Sequence, residues 1–351
     1  MNVSNGRLTG QQDLKNGYTR WDWEVKNPIN SYNISVNIGD YVHFGENYKS
    51  LDLDYYVLKD NEEKARKHFE EVKPMMDCFQ SKFGDYPFKE DGYKLVETPY
   101  LGMEHQSAVA YGNKFNNGYL VNDLSGTGIG LTFDFIIIHE SGHEWFGNSI
   151  TSKDIADMWI HEAFTCYSES VFVECQLGYE KSQIYINGLA KNIQNDIPII
   201  GQYGVNSEGS GDMYYKGALM LNTIRSVIDD DNKWWEIILD YSNTYKHQII
   251  ESQTVIDFFN QKSGLNLTPI FDQYLKYVNI PILELKVENK RLHYRWKTDV
   301  ANFEMPVIIE FKNEDKRLQA TNEWKTSNFK VKDIQEINVL KNSFYIDVKI
   351  K

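Results

Sequence analysis

The sequence has little cysteine, no long apolar run and no surplus of positive charge. Only Cys78, Cys166 and Cys175 are cysteines among its 351 residues. None has C-x-x-C spacing, and an odd, sparse count does not suggest a disulfide framework. Cys166 and Cys175 are expected to pack within one helix. No run reaches the roughly 18 apolar residues of a membrane-crossing helix, so no span is predicted. The start, Met1-Asn2-Val3-Ser4-Asn5-Gly6, is polar and shows no signal peptide. This leaves cytoplasmic and exported locations both open. Lys and Arg number 37 against 50 Asp and Glu, a formal net charge of −13. That balance argues against nucleic acid as a partner, which wants a basic face, and mildly against anionic membranes. It favours cationic peptide N-termini, although weakly. No internal repeat or low-complexity tract occurs. The glycine-rich stretch Ser125-Gly126-Thr127-Gly128-Ile129-Gly130 lacks both the P-loop lysine and the Rossmann spacing. It reads as a connector rather than a phosphate loop.

Apolar residues make up 41% and aromatics 14% of the chain, which places it among globular proteins. Its length predicts two or three domains with sizeable cores.

The most informative run is His139-Glu140-Ser141-Gly142-His143, followed after 18 residues by Glu162. On a helix, residues four apart share a face, so His139 and His143 can direct both imidazoles at one point. Two imidazoles and the Glu162 carboxylate suit one Zn²⁺ and leave a position for water, which the ion makes acidic. Glu140, one residue past the first ligand, is placed to take a proton from that water.

A bare HExxH also fits a solvated helix that happens to carry two His and two Glu, Glu140 and Glu144. The flanks argue otherwise. Phe133-Asp134-Phe135-Ile136-Ile137-Ile138 precedes the motif and Trp145-Phe146-Gly147 follows it. A helix this apolar is buried, and buried His and Glu need partners. Glu162 opens a second helix that runs to about Leu177. Glu169 lies seven residues on and shares its face. It is the expected hydrogen-bond partner of the His139 imidazole. His161 differs from Glu162 by 100° around the helix and is expected to point away from the metal.

At HExxH and its distant Glu, the chain resembles the zinc aminopeptidases related to aminopeptidase N and leukotriene-A hydrolase, a gluzincin family. Two further segments carry the resemblance, in the family's order. Leu101-Gly102-Met103-Glu104-His105 resembles the family's G-x-M-E-N motif, departing from it at its first and last positions. The resemblance implies that Gly102 and Met103 lie along the substrate backbone and that Glu104 holds the substrate's α-amine. A carboxylate near the metal is also what recognition of an ammonium group requires. Gly211-Asp212-Met213-Tyr214-Tyr215-Lys216-Gly217-Ala218 resembles the family's Y-x-K-G signature. This implies that Tyr214 donates to the oxyanion of the tetrahedral intermediate, a contact worth on the order of 3 kcal/mol. Only register separates Tyr214 from Tyr215.

The expected fold is α+β. A thermolysin-like catalytic domain over 49–280 is expected to follow a remnant of an N-terminal β domain over 1–48. A small β-sandwich over 281–351 is expected to end the chain. Residues 1–17 read as a loop or a disordered lead. Trp21-x-Trp23-x-Val25 and Ile34-x-Val36-x-Ile38 read as two strands joined by a turn at Asn27-Pro28. Ala65, Phe69, Val72, Met76 and Phe79 recur at helical spacing, with a kink expected at Pro74. The region 180–278 reads as helical. Beyond Pro281 the period becomes two, with Glu288-Asn289-Lys290 as a turn and further strands over 307–311, 329–331 and 345–350. The family normally carries a larger N-terminal domain, so the chain is expected to be a truncated or naturally short form.

The expected activity is zinc-dependent removal of the N-terminal residue from peptides with a free N-terminus. The rivals are a zinc endopeptidase and a weakly active or non-catalytic peptide-binding fragment. The epoxide-hydrolase activity of one relative is called for by no feature here. No pattern in the chain sets its oligomeric state.

Overall fold

Residues 1–13 carry few large apolar side chains, yet they are not a loop. The computed structural model describes the whole chain, Met1–Lys351. In it they form β1 (Asn2–Val3) and β2 (Arg7–Asp13). β2 pairs antiparallel with β3 (Thr19–Glu24), and β1 pairs with β4 (Asn37–Ile38). The hairpin expected between residues 21–25 and 34–38 therefore does not form. Its second arm is also inverted. Asn33, Ser35 and Asn37 are buried, whereas Ile34, Val36 and Ile38 are 61%, 68% and 79% exposed. The reason is polar. Asn5 Nδ2 donates to the carbonyls of Asn33 and Gln106, and Asn5 Oδ1 accepts from Ser35 N. A buried amide with its partners in place costs little, so hydrogen bonding outweighs apolar burial along this segment.

Two compact units comprise residues 1–151, 168–188 and 242–249, and residues 152–167, 189–241 and 250–351. The first contains a five-stranded mixed sheet of β5 (Tyr41–Tyr48), β6 (Leu51–Leu58), β7 (Tyr93–Glu97), β8 (Gly102–Met103) and β9 (Val109–Tyr111). Its order is β5-β6-β7-β9-β8, which leaves the two-residue β8 at an edge. The helical run from residue 62 is broken before Pro74, not at it. α1 (Glu62–His68) passes through one 3₁₀ turn, Phe69–Glu71, into α2 (Val72–Phe83). Pro74 thus occupies the first turn of α2. There its missing N–H costs nothing, and its ring would clash with the preceding turn of a continuous helix. α3 (Phe135–Gly142) is buried at every position. α4 (Trp159–Leu177) is the longest helix, and α5 (Tyr179–Gly188) follows it.

β10 (Ile150–Ser152) and β11 (Gln248–Ile250) form a short two-stranded ribbon. The second unit holds α6 (Tyr215–Ile228), most of α7 (Asp231–Thr244), α8 (Ser252–Ser263) and α9 (Thr268–Lys276). Its aromatic core includes Trp159, Phe164, Tyr241, Phe259 and Phe271. A methyl group on Gly217 would lie 2.6 Å from Ala163 Cβ, so this glycine permits close packing of α6 on α4. The neighbouring Lys216 Nζ donates to the carbonyls of Tyr277 and Val278, just beyond α9. Burial lowers its pKa to about 8.

Beyond Pro281 the period-two pattern yields β12 (Ile282–Glu288), β13 (Arg291–Lys297), β14 (Glu304–Phe311), β15 (Glu314–Thr321), β16 (Lys325–Lys330), β17 (Ile337–Val339) and β18 (Asp347–Ile350). They make a four-stranded sheet, β16-β13-β12-β18, and a three-stranded one, β15-β14-β17. Trp296 Nε1 of the first donates to Met305 O of the second. The pattern does not reveal β15, because its sequence Glu-Asp-Lys-Arg-Leu-Gln-Ala-Thr buries only Leu318 and Ala320. Lys312 and Asn313, both at positive φ, turn β14 back into it.

The cysteines depart from expectation as well. Cys78 of α2 is bonded to Cys175 near the end of α4, and Cys166 is a buried thiol outside the disulfide. The bond joins positions 97 residues apart. A spacing count cannot detect such a pair, because its proximity comes from helix packing. Under denaturing, non-reducing conditions one thiol is expected to react with a thiol reagent, rising to three after reduction. Cys78→Ala/Cys175→Ala is expected to lower the unfolding free energy by about 2–4 kcal/mol. Three reactive thiols before reduction would contradict the pairing.

Candidate active site

Asp134 begins the site by ending a loop. It is the N-cap of α3, and its Oδ1 accepts from the backbone N–H groups of Ile136 and Ile137. An Asp ahead of an apolar run is a readable helix start. The rest of its setting carries no sequence signal. Oδ2 also accepts from Tyr111 Oη and meets His68 Nε2, each at 2.7 Å. Glu71 Oε2 accepts from Asp134 N at 2.9 Å, and burial pushes the Glu71 carboxyl up to about 7. α3 is thereby fixed at its start. It is fixed farther along by a 2.7 Å contact between Ser141 Oγ and Tyr93 Oη. Just past its end, Glu144 Oε1 accepts from Ser107 N.

His139, His143 and Glu162 are all buried, and one ligand atom from each lies within 4.8 Å of the other two. The imidazoles have defined orientations. His139 Nδ1 lies 2.7 Å from Glu169 Oε1, and His143 Nδ1 lies 3.0 Å from Phe146 O. A ring whose Nδ1–H donates to an oxygen presents Nε2 as its ligand nitrogen. Glu169 is itself held by Tyr185 Oη, which donates to Oε2 at 2.6 Å. Two imidazoles whose Nδ1 atoms face oxygens, together with one carboxylate, form a donor set that suits zinc. His161 Nε2 accepts from Ser152 N at 2.8 Å, and His161 is not among the grouped ligands.

A second buried group comprises Glu104, Glu140 and His143, again with one atom from each within 4.8 Å of the others. Glu104 directly follows β8, and Asn148 Nδ2 holds its carbonyl at 2.8 Å. A methyl group on Gly102 would lie 2.7 Å from Glu140 Oε1 and would displace that carboxylate. Met103 is half-buried beside it. Tyr214 is the N-cap of α6, and both it and Tyr215 are half-buried, their ring centroids 6.4 Å apart. Sequence reasoning misses Asn148, Tyr185 and the Phe146 carbonyl. Each acts through a position set by folding rather than through a motif.

The family model described as Peptidase family M1 domain matches residues 67–274. The chain is 19% identical over 340 residues to probable aminopeptidase 1 of Sulfurisphaera tokodaii, covering 90% of this chain and 42% of that protein. It is 30% identical over 158 residues to aminopeptidase N of Streptomyces lividans, covering 43% of this chain and 18% of that protein. Its fold is similar to that of Legionella pneumophila aminopeptidase A crystallised with aspartic acid, with a TM-score of 0.81 at 17% identity. That match covers 100% of this chain and 43% of the other. The chain spans about two-fifths of the length of the Sulfurisphaera and Legionella proteins.

Glu169→Ala is expected to weaken zinc binding by about 10- to 100-fold in a chelator competition. Unchanged affinity would remove Glu169 from that role. Glu71 offers a pH test. Its folded pKa of about 7 exceeds the usual 4.5, so the folded chain holds a proton that the unfolded chain has released. The resulting stabilisation is complete below about 4.5 and is lost as pH rises through 7. In chemical denaturation, Glu71→Gln should therefore gain stability relative to the parent between pH 5 and pH 8. A parallel pair of pH curves would contradict this.

Proposed function

Since the chain belongs to peptidase family M1, we propose that it is a zinc-dependent aminopeptidase that removes the N-terminal residue from peptides with a free N-terminus. The observation that carries this reading is the pairing of two buried carboxylates, Glu104 and Glu140, beside His143. A metallopeptidase needs one carboxylate as a base. A second at this distance supplies an acceptor for an ammonium group and so favours substrates with a free α-amine over internal peptide bonds. We read residues 49–280 as a thermolysin-like catalytic domain, 281–351 as a β-sandwich, and 1–48 as the last strands of an N-terminal β domain.

His139, His143 and Glu162 would hold the zinc, whose contribution when bound is Lewis acidity toward water and the scissile carbonyl. The remaining work falls to side chains and backbone. Glu104 accepts hydrogen bonds from the substrate's ammonium and so fixes the distance from N-terminus to reacting carbonyl. The edge strand at Gly102 and Met103 offers its outer edge to an extended peptide. Glu140 takes the proton from the attacking water and returns it to the leaving amine. Tyr214 donates from its phenol to the developing oxyanion.

Glu140→Gln is expected to keep its metal and lose turnover of an aminoacyl-arylamide by about 10²- to 10⁴-fold. N-acetylation of a peptide substrate is expected to abolish its cleavage. Equal cleavage of the acetylated and free peptides would replace the aminopeptidase reading with an endopeptidase one.

A further inference from the structure

We propose that Tyr32 is part of the α-ammonium site: its phenol orients the Glu104 carboxylate and supplies a second acceptor for the substrate's ammonium. The inference rests on the reading of Glu104 given above. It adds a residue that no catalytic motif contains, from the segment preceding the five-stranded sheet.

The Tyr32 hydroxyl donates to Glu104 Oε1 at 3.3 Å. Glu104 is 7% exposed and Tyr32 43% exposed, so a buried carboxylate meets the hydroxyl of a partly exposed tyrosine. The contact is held from both sides. Tyr32 lies in the single 3₁₀ turn Ser31–Asn33. The Asn33 side chain is buried and donates from Nδ2 to Asn148 Oδ1 at 2.6 Å. The same Asn148 donates from its own Nδ2 to the Glu104 carbonyl at 2.8 Å. One side-chain amide thus joins the turn that carries Tyr32 to the backbone that carries Glu104. Gln106 Nε2 donates to Pro28 O, and Asn30 Nδ2 donates to Thr151 Oγ1, each at 2.9 Å. These bonds fix the approach to the turn. A phenol–carboxylate contact on so constrained a segment is a built feature of the site, not the meeting of two loose side chains.

The chemistry follows from the inventory of donors and acceptors. A substrate ammonium brings three N–H groups. The Glu104 carboxylate can receive one through Oε2 while Oε1 is engaged by Tyr32. A phenol that donates its proton still has lone pairs to accept a second N–H. Donation to Glu104 sets the hydroxyl's orientation. Tyr32 is therefore both a positioning residue for Glu104 and a direct amine contact. The ammonium is bound alike in ground and transition states, so loss of the hydroxyl should appear in KM more than in kcat.

The test uses the zinc-loaded chain and two ligands measured by calorimetry, leucine hydroxamate and 4-methylpentanehydroxamate. They share the metal-binding group and side chain and differ only in the α-amine. Tyr32→Phe is expected to weaken leucine hydroxamate about 10-fold, the worth of one hydrogen bond to a charged group. The desamino ligand should stay within about twofold, with Tm and metal content unchanged. Glu104→Gln should show the same selective loss, and with an aminoacyl-arylamide Tyr32→Phe should raise KM at nearly constant kcat. Equal weakening of both ligands by Tyr32→Phe would mean a structural role only. No change in either, while Glu104→Gln still loses the amine-bearing ligand, would place Tyr32 outside the site. If the parent chain does not distinguish the ligands and Glu104→Gln has no effect, the amine-binding reading of Glu104 itself falls, and the inference with it.

Discussion

Helix α3 has no solvent face, and most of the site follows from that constraint. Every polar group on a helix buried on all sides must find a partner inside the protein or impose a large cost. The partners come from five directions: a cap at Asp134, Tyr93 against Ser141, Ser107 against Glu144, Phe146 O against His143 and Glu169 against His139. Each bond fixes part of the helix or a side chain it carries. The two imidazoles consequently keep their Nδ1 atoms engaged and present Nε2 together. The arrangement is preorganised because folding, not the ligand, bears the cost of ordering these groups.

The chemistry was far more legible in the sequence than the scaffold that holds it. His139, His143 and Glu162 are legible as a candidate ligand group because side chains that share a helix face obey fixed spacings, and Glu140 lies beside the first of them. Glu169 was legible for the same reason, since helical periodicity extends seven residues without help from tertiary structure. Asn148 and Tyr185 were not, because an amide or phenol that bridges distant segments leaves no local pattern. The strands beyond Pro281 were legible where apolar residues alternate. β15 was not, because its outward face is almost entirely charged or polar and only Leu318 and Ala320 are buried.

The first forty residues show the limit of patterning most clearly. Ile34, Val36 and Ile38 alternate as a buried strand should, yet they face outward. The inward positions go to Asn33, Ser35 and Asn37, and Asn5 binds this segment's backbone from the other side. Binary patterning assumes that apolar burial decides which side of a strand is inside. Here the deciding energy is the satisfaction of backbone groups by side-chain amides, and the sequence reads in reverse. The same amide chemistry reaches the candidate site through Asn33 and Asn148, so the least regular part of the fold is tied to one of its most constrained parts.

The bond between Cys78 and Cys175 has a topological consequence. Glu104, His139, Glu140, His143, Glu162 and Glu169 all lie between these two cysteines in sequence. The proposed amine anchor, base and metal ligands are therefore enclosed in a single covalent ring, with Tyr32 and Tyr214 outside it. A protease that cut one exposed loop within the ring would open the chain without dividing the molecule. Both new ends would remain tethered through α2 and α4, and the severed pieces would stay at an effective concentration no separate fragments could reach.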